Sequence, residues 1–219
     1  MLDNSMPIPG VLDEHERLAV EVKFGVAAEQ VVRDHVISHA LAAIANVGTD
    51  DVVFFGGTAL SRTLLTDVRL SEDIDLIAMG DRREVGDRIE AAITRQFRRT
   101  FGSVVFTPHI RETKHPDPSV MQVDATRIQI QLLSAAAYPA WPTEIVDIEQ
   151  RYSDAPPAKM RVLTPAAFVA SKLASWNDRE APRDLYDLWA LARLGKIDAE
   201  ASEVFSKHGS YTSVSKVSF

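Results

Sequence analysis

The chain has 219 residues, a formal net charge of −7, 46% hydrophobic and 25% charged residues, a balance that supports a buried core. It has no cysteine, which excludes disulfides, thiol catalysis and cysteine-ligated metals and fits a reducing compartment. The acidic balance argues against a protein that coats DNA, although a local basic patch would still serve a nucleic-acid substrate. No apolar run is long enough to span a bilayer, and the opening MLDNSMPIPG lacks the basic and apolar regions of a secretion signal. A cytoplasmic protein with no membrane partner is expected.

In chain order, Glu14 to Asn46 carries helical spacing (Val31, Val32, His35, Val36, His39), with Gly25 a break and Gly48 a stop. Asp51 to Phe55 (DVVFF) reads as a buried strand. Gly56-Gly57 turns the chain, Thr58 is a candidate cap for a helix to about Leu65, and Leu70 to Ala78 alternates as a second strand. Asp81 to Arg99 predicts an amphipathic helix with Val85, Ile89, Ile93 and Phe97 inward. Its arginines (82, 83, 88, 95, 98 and 99) form either a basic patch or a solvated face. Strands are expected at Ser103–Ile110 and within Val120–Leu133, around a loop at ETKHPDPS. From Ser134 onward SAAAYPAWPTE and YSDAPPAK read as connections. Thr164-Pro165 and Pro182 open two helices, and the tail from Lys207 reads as loose.

The segment GGTALSRTLLTDVRLSEDIDL, Gly56 to Leu76, concentrates the chemistry. In a strand, residues i and i+2 share a face, so Asp73 and Asp75 present two carboxylates side by side. Such a pair needs a cation between them or a shared proton. Mg²⁺, or Mn²⁺, takes oxygen ligands of this kind and keeps positions for phosphate. A glycine pair between strand and helix lets backbone approach a ligand, and the following helix N-terminus offers N–H groups to phosphate. Together these make a site for a metal–nucleoside triphosphate.

This segment resembles the first motif of the AbiEii/AbiGii-type nucleotidyltransferases, within the DNA polymerase β-like nucleotidyltransferase superfamily. Many members are toxins of type IV toxin–antitoxin systems. ASKLASWNDREAPRDLYDLWAL, Ala170 to Leu191, resembles the family's lysine segment and its RDxxDL. The resemblance implies that Gly56, Gly57, Thr58 and Ser61, with Arg69 nearby, cradle the triphosphate. It implies that Asp73 and Asp75 hold the metal, that Lys172 neutralises phosphate, and that Asp184 or, preferably, Asp187 is a late acid. On their own residues these last positions are plainer: Lys172 beside an apolar helix face, and two acids near a helix start.

The superfamily pattern has a third carboxylate on a later strand, yet Gln129, in RIQIQLL, stands there. An amide ligates Mg²⁺ weakly and is no base. Ser71, two residues before Asp73, matches a position that an antitoxin modifies in some relatives; a phosphate there would repel the nucleotide. Its plainer role is bonding the local turn. His35 and His39 have chelating spacing, but no third ligand is spaced to help them, so they read as surface or core histidines.

The expected architecture is a bi-lobed α/β (α+β) protein. A nucleotidyltransferase core of mixed sheet spans residues 1–135, a helical lobe spans 136–219, and the site lies in the cleft. The expected activity is transfer of a nucleotide from a nucleoside triphosphate to RNA, by resemblance the tRNA 3′ end, blocking translation, with a cognate antitoxin as partner. The rivals are a small-molecule or protein acceptor, and a nucleotide-binding pseudoenzyme that acts through a partner.

Overall fold

The computed structural model describes residues 6–114 and 116–209. Helix α1 (Glu14–Phe24) is capped by Asp13 and ends at Gly25 in the left-handed conformation (φ 63°), the expected break. Helix α2 (Ala28–Ala45) is buried almost all round from Val31 to Ile44, which makes it the central core helix. Strand β1 (Val52–Phe55), wholly buried, passes directly into a short helix α3 (Gly56–Ser61). Strand β2 (Ile74–Ala78) follows an irregular stretch, so Ser71 and Asp73 lie before it rather than within it. Helix α4 (Arg82–Thr100) starts on an Asp81 cap and buries Val85, Ile89, Ile93 and Phe97, as its spacing predicts.

Strands β3 (Val105–Thr107), β4 (Ser119–Val123) and β5 (Thr126–Ser134) occupy the segments expected for strands. Strands β6 (Thr143–Ile148) and β7 (Ala158–Leu163) fall where the sequence suggested proline-rich connections. The prolines bracket these strands instead of interrupting them, so the ladder keeps its N–H donors. Helices α5 (Pro165–Arg179) and α6 (Pro182–Arg193) begin at the two prolines named above. Helix α7 (Ala199–His208) was not anticipated. Of the tail read as loose, Lys207 and His208 close α7, and residues from 210 onward lie outside the described residues.

All seven strands form one mixed sheet in the order β3-β4-β5-β2-β1-β7-β6. β1 is antiparallel to β2 and parallel to β7, and β2 is parallel to β5. Residues 136–219, expected as a helical lobe, therefore also supply two strands to the sheet. Two buried polar networks tie the helical layer to the chain after β6. Arg62 donates to Asp34 (2.7 Å) and to the Glu149 carbonyl (3.0 Å), and Tyr152 donates to Asp34 (3.0 Å). Asp154 accepts from the Gly10 amide (2.8 Å) and bonds the Nε2 atoms of His35 and His39, each at 2.9 Å.

Candidate active site

The glycine turn and the acid pair meet because of strand register. β1 and β2 pair with Phe55 opposite Asp75, so the residue after the strand, Gly56, sits against the Asp75 side chain. Gly56 has φ 76°, and a Cβ there would lie 2.1 Å from Asp75 Oδ2. Only glycine permits both the backbone shape and the approach. A Cβ on Gly57 would lie 3.0 Å from Arg69 Nη2 and 3.0 Å from Ser71 Oγ.

Thr58 is not a cap: α3 starts at Gly56 with Phe55 in the cap position. The buried Thr58 hydroxyl instead donates to the Asp73 carbonyl, pinning the acid segment to the glycine helix. Ser61 is buried too and donates to the Thr58 carbonyl at 3.0 Å.

Gly56, Gly57, Arg69, Ser71, Asp73 and Asp75 line a cleft of about 580 Å³. The helices α5 and α6 contribute Lys172, Arg179 and Arg183 to it, and Phe55, Tyr138 and Trp141 add aromatic wall. Thr58, Ser61, Asp184 and Asp187 are not in its lining. The sequence reading missed Arg179, Arg183, Tyr138 and Trp141. Both arginines stand inside the quoted lysine segment, so their type was visible; their direction was not.

The carboxylates of Asp73 and Asp75 have no hydrogen bond or ion pair among the described residues. Burial raises the Asp73 carboxyl above its ordinary range, with Arg183 opposing. Burial, and then the charge of Asp73, push Asp75 up to about 6. Two adjacent, unpaired acids that resist ionisation fit a hard divalent cation, which would supply the missing positive charge.

The neighbouring strand offers no third acid. Asp75 pairs with Gln131 on β5, and Gln129 and Gln131 both line the cleft. Gln131 Nε2 donates to the Pro116 carbonyl at 2.5 Å.

Opposite the acids, a chain of ion pairs joins segments far apart in sequence. Arg69 makes a two-pronged contact with Asp187 (2.8 Å for both bonds). Lys172 Nζ lies 2.8 Å from Asp187 and 3.1 Å from Asp184, and Arg179 makes a two-pronged contact with Asp184 (2.7 and 3.0 Å). Burial alone would raise both acids, yet these cations hold them below the usual carboxylate range. Fully engaged and strongly acidic, Asp184 and Asp187 fix the cations in place.

The His35–His39 pair gains the partner that local spacing could not reveal, since Asp154 arrives from over a hundred residues away. All three side chains are buried and their ligand atoms lie within 4.8 Å of one another. Each imidazole N–H points at the carboxylate at hydrogen-bond distance, and Nδ1 of His39 has no partner. A metal-bound histidine ordinarily donates from its second nitrogen. The trio reads as a buried hydrogen-bonded clamp away from the cleft.

The family described as "Nucleotidyl transferase AbiEii toxin, Type IV TA system" matches residues 39–215, well over half of the chain. The chain belongs to the AbiEii nucleotidyltransferase toxin family. No curated protein matches it. Among solved structures, an antigenic nucleotidyltransferase-like protein from Paracoccidioides brasiliensis aligns with TM-score 0.46 at 15% identity, covering 80% of this chain and 87% of that one. The ANT(2″)-Ia complex with adenylyl-2″-tobramycin aligns with TM-score 0.48 at 16% identity, covering 78% and 95%. The solution structure of the antibiotic-resistance factor ANT(2″)-Ia gives TM-score 0.50 at 15% identity, covering 78% and 89%. The AbiEii match spans the acid pair, the lysine helix and α6, and the expected nucleotidyltransferase-like α/β fold is the one observed. No helix among the described residues is long and apolar enough to cross a membrane.

Proposed function

We propose that this AbiEii-family protein transfers a nucleotide from a nucleoside triphosphate to RNA, with the 3′ end of tRNA as acceptor. The observation that carries the reading is the cleft itself: a glycine turn and two unpaired acids share it with four cations, Arg69, Lys172, Arg179 and Arg183. The Gly56-Gly57 backbone makes room for the triphosphate, and Lys172, Arg179 and Arg183 balance its charge. Asp73 and Asp75 would hold Mg²⁺ or Mn²⁺, which, when bound, polarises the α-phosphate and stabilises the charge that develops in transfer. The acceptor hydroxyl oxygen bonds to the α-phosphorus, the bond to the β-phosphate oxygen breaks, and pyrophosphate leaves; the hydroxyl proton passes to water in the cleft. Asp184 and Asp187 act by positioning Lys172, Arg179 and Arg69. Ser71, on the cleft wall beside Gly57, is the place where a cognate antitoxin would silence the site by phosphorylation.

The test is incubation of purified protein, Mg²⁺, total tRNA and each α-labelled nucleoside triphosphate in turn, with Asp73→Asn as control. Label in tRNA with the native protein alone supports the reading. Nucleotide binding with no label in any RNA sinks it. The second outcome favours a nucleotide-binding protein without turnover, a reading that draws on Gln129 and Gln131 beside the acid pair.

A further inference from the structure

Helix α6 has two faces with opposite character. Its inner face buries Asp184, Asp187, Leu188 and Leu191. Its outer face leaves Leu185 51%, Tyr186 44% and Trp189 50% exposed, a large uncovered aromatic surface. The exposed charges of α6 are Arg183 and Arg193, both positive, on a chain whose net charge is −7. The outer face is therefore cationic and aromatic where the protein as a whole is acidic.

The side chains also form a column. Tyr186 and Trp189 stack with centroids 5.5 Å apart and planes at 25°, and the Arg193 guanidinium sits 5.1 Å from the Trp189 centroid. Arg183, Tyr186, Trp189 and Arg193 follow one another at steps of three or four residues, so each neighbours the next along one strip of the helix. The strip runs about 15 Å along the axis, at 1.5 Å per residue. Arg183, its first member, already lines the cleft. A strand lying along it would end at the acid pair.

We infer that the outer face of α6 is the platform on which the single-stranded end of the RNA acceptor lies, its bases stacked on Tyr186 and Trp189 and its phosphates on Arg183 and Arg193. This rests on the RNA reading proposed above. Stacked aromatics beside arginine suit nucleobases, whose π faces stack without regard to sequence. The all-positive exposed charge suits phosphate, and it would serve an apolar protein partner poorly.

The test compares native protein with the Tyr186→Ala/Trp189→Ala double variant and with Trp189→Phe. Three readouts are taken: binding of a nucleoside triphosphate, binding of total tRNA and of a ten-nucleotide single-stranded RNA, and KM and kcat for label transfer. The expected result is tRNA and oligonucleotide affinity weakened about tenfold or more in the double variant. KM for tRNA rises to match, nucleotide binding and kcat stay near native, and Trp189→Phe recovers most of the loss. Transfer to RNA with native KM in the double variant would overturn the platform and leave the RNA reading standing. Absence of RNA binding and labelling by the native protein would overturn both. Concentration-dependent self-association abolished by the double variant, with RNA affinity unchanged, would assign the face to a second copy and overturn the inference.

Discussion

A methyl group at residue 56 would collide with Asp75, and φ 76° disfavours any side chain there. Gly56→Ala is expected to displace the carboxylate and lower kcat/KM for nucleotide transfer at least tenfold, read by steady-state labelling. The acid pair sets a second expectation. With Asp75 pushed up to about 6, a proton competes with the cation below that pH. Mn²⁺ affinity of the nucleotide-free protein, measured by titration calorimetry, should fall about tenfold per pH unit below 6. The same raised value means that in the metal-free protein Asp75 costs stability increasingly as pH rises from 3.8, where the unfolded chain ionises, to about 6, and the cost is complete above that pH. Asp75→Asn should therefore stabilise the metal-free protein at pH 7 by on the order of 2 kcal/mol in urea denaturation, while abolishing transfer. At Ser71, Ser71→Asp should weaken nucleotide binding several-fold while leaving the melting temperature near native, because the residue lines the cleft and is only partly buried. Which residues would meet was legible beforehand where type and spacing suffice: Gly56, Gly57, Asp73 and Asp75 line one cleft. Thr58 and Ser61 had the right types and the wrong directions, since a six-residue helix turns both inward.

Among the elements, α2 contributes His39 to the clamp on Asp154, and that contact responds to pH. Burial lowers the affinity of His39 for a proton, so folding keeps it neutral where the unfolded chain takes a proton near pH 6.5. Its contribution to stability is complete above that pH and declines as pH falls through it. Burial opposes the Asp154 charge, but His35 and the Gly10 amide leave its carboxyl below the ordinary range, so its contribution is lost at still lower pH. The change in melting temperature from pH 7 to pH 4.5 should be less favourable in the native protein than in His39→Gln, a comparison in which the opposing gain from protonating Asp75 cancels. The clamp also shows which elements were readable. α4 announced itself by a four-step apolar stripe. β6, with its TEIVDI alternation, was masked by Pro139, Pro142, Pro156 and Pro157 on either side, which drew attention to turns. Asp154 lay invisible in a loop because a ligand contributed from a hundred residues away leaves no local period.

Across the whole molecule, the two-pronged Arg69–Asp187 contact and the Lys172 pairs join the strand-borne half of the cleft to the helices. Asp187→Asn strips Lys172 and Arg69 of a buried counter-charge. It should cost about 3 kcal/mol of stability by chemical denaturation and raise KM for the nucleotide. The order of motifs told which groups share a cleft; it did not tell that the acids of RDLYDL pair with the cations and stay out of the cleft lining. That pairing depends on how α5 and α6 pack against each other, and packing is written in volumes more than in motifs. On the reading proposed above, the pairing would change what nucleotide binding is. Lys172, Arg69 and Arg179 would meet the incoming triphosphate with carboxylates already in hand rather than with loosely held ions from solution. Because these cations keep their carboxylates, few mobile ions are set free when a triphosphate arrives, and nucleotide affinity should respond only faintly to added salt even though the ligand is highly charged.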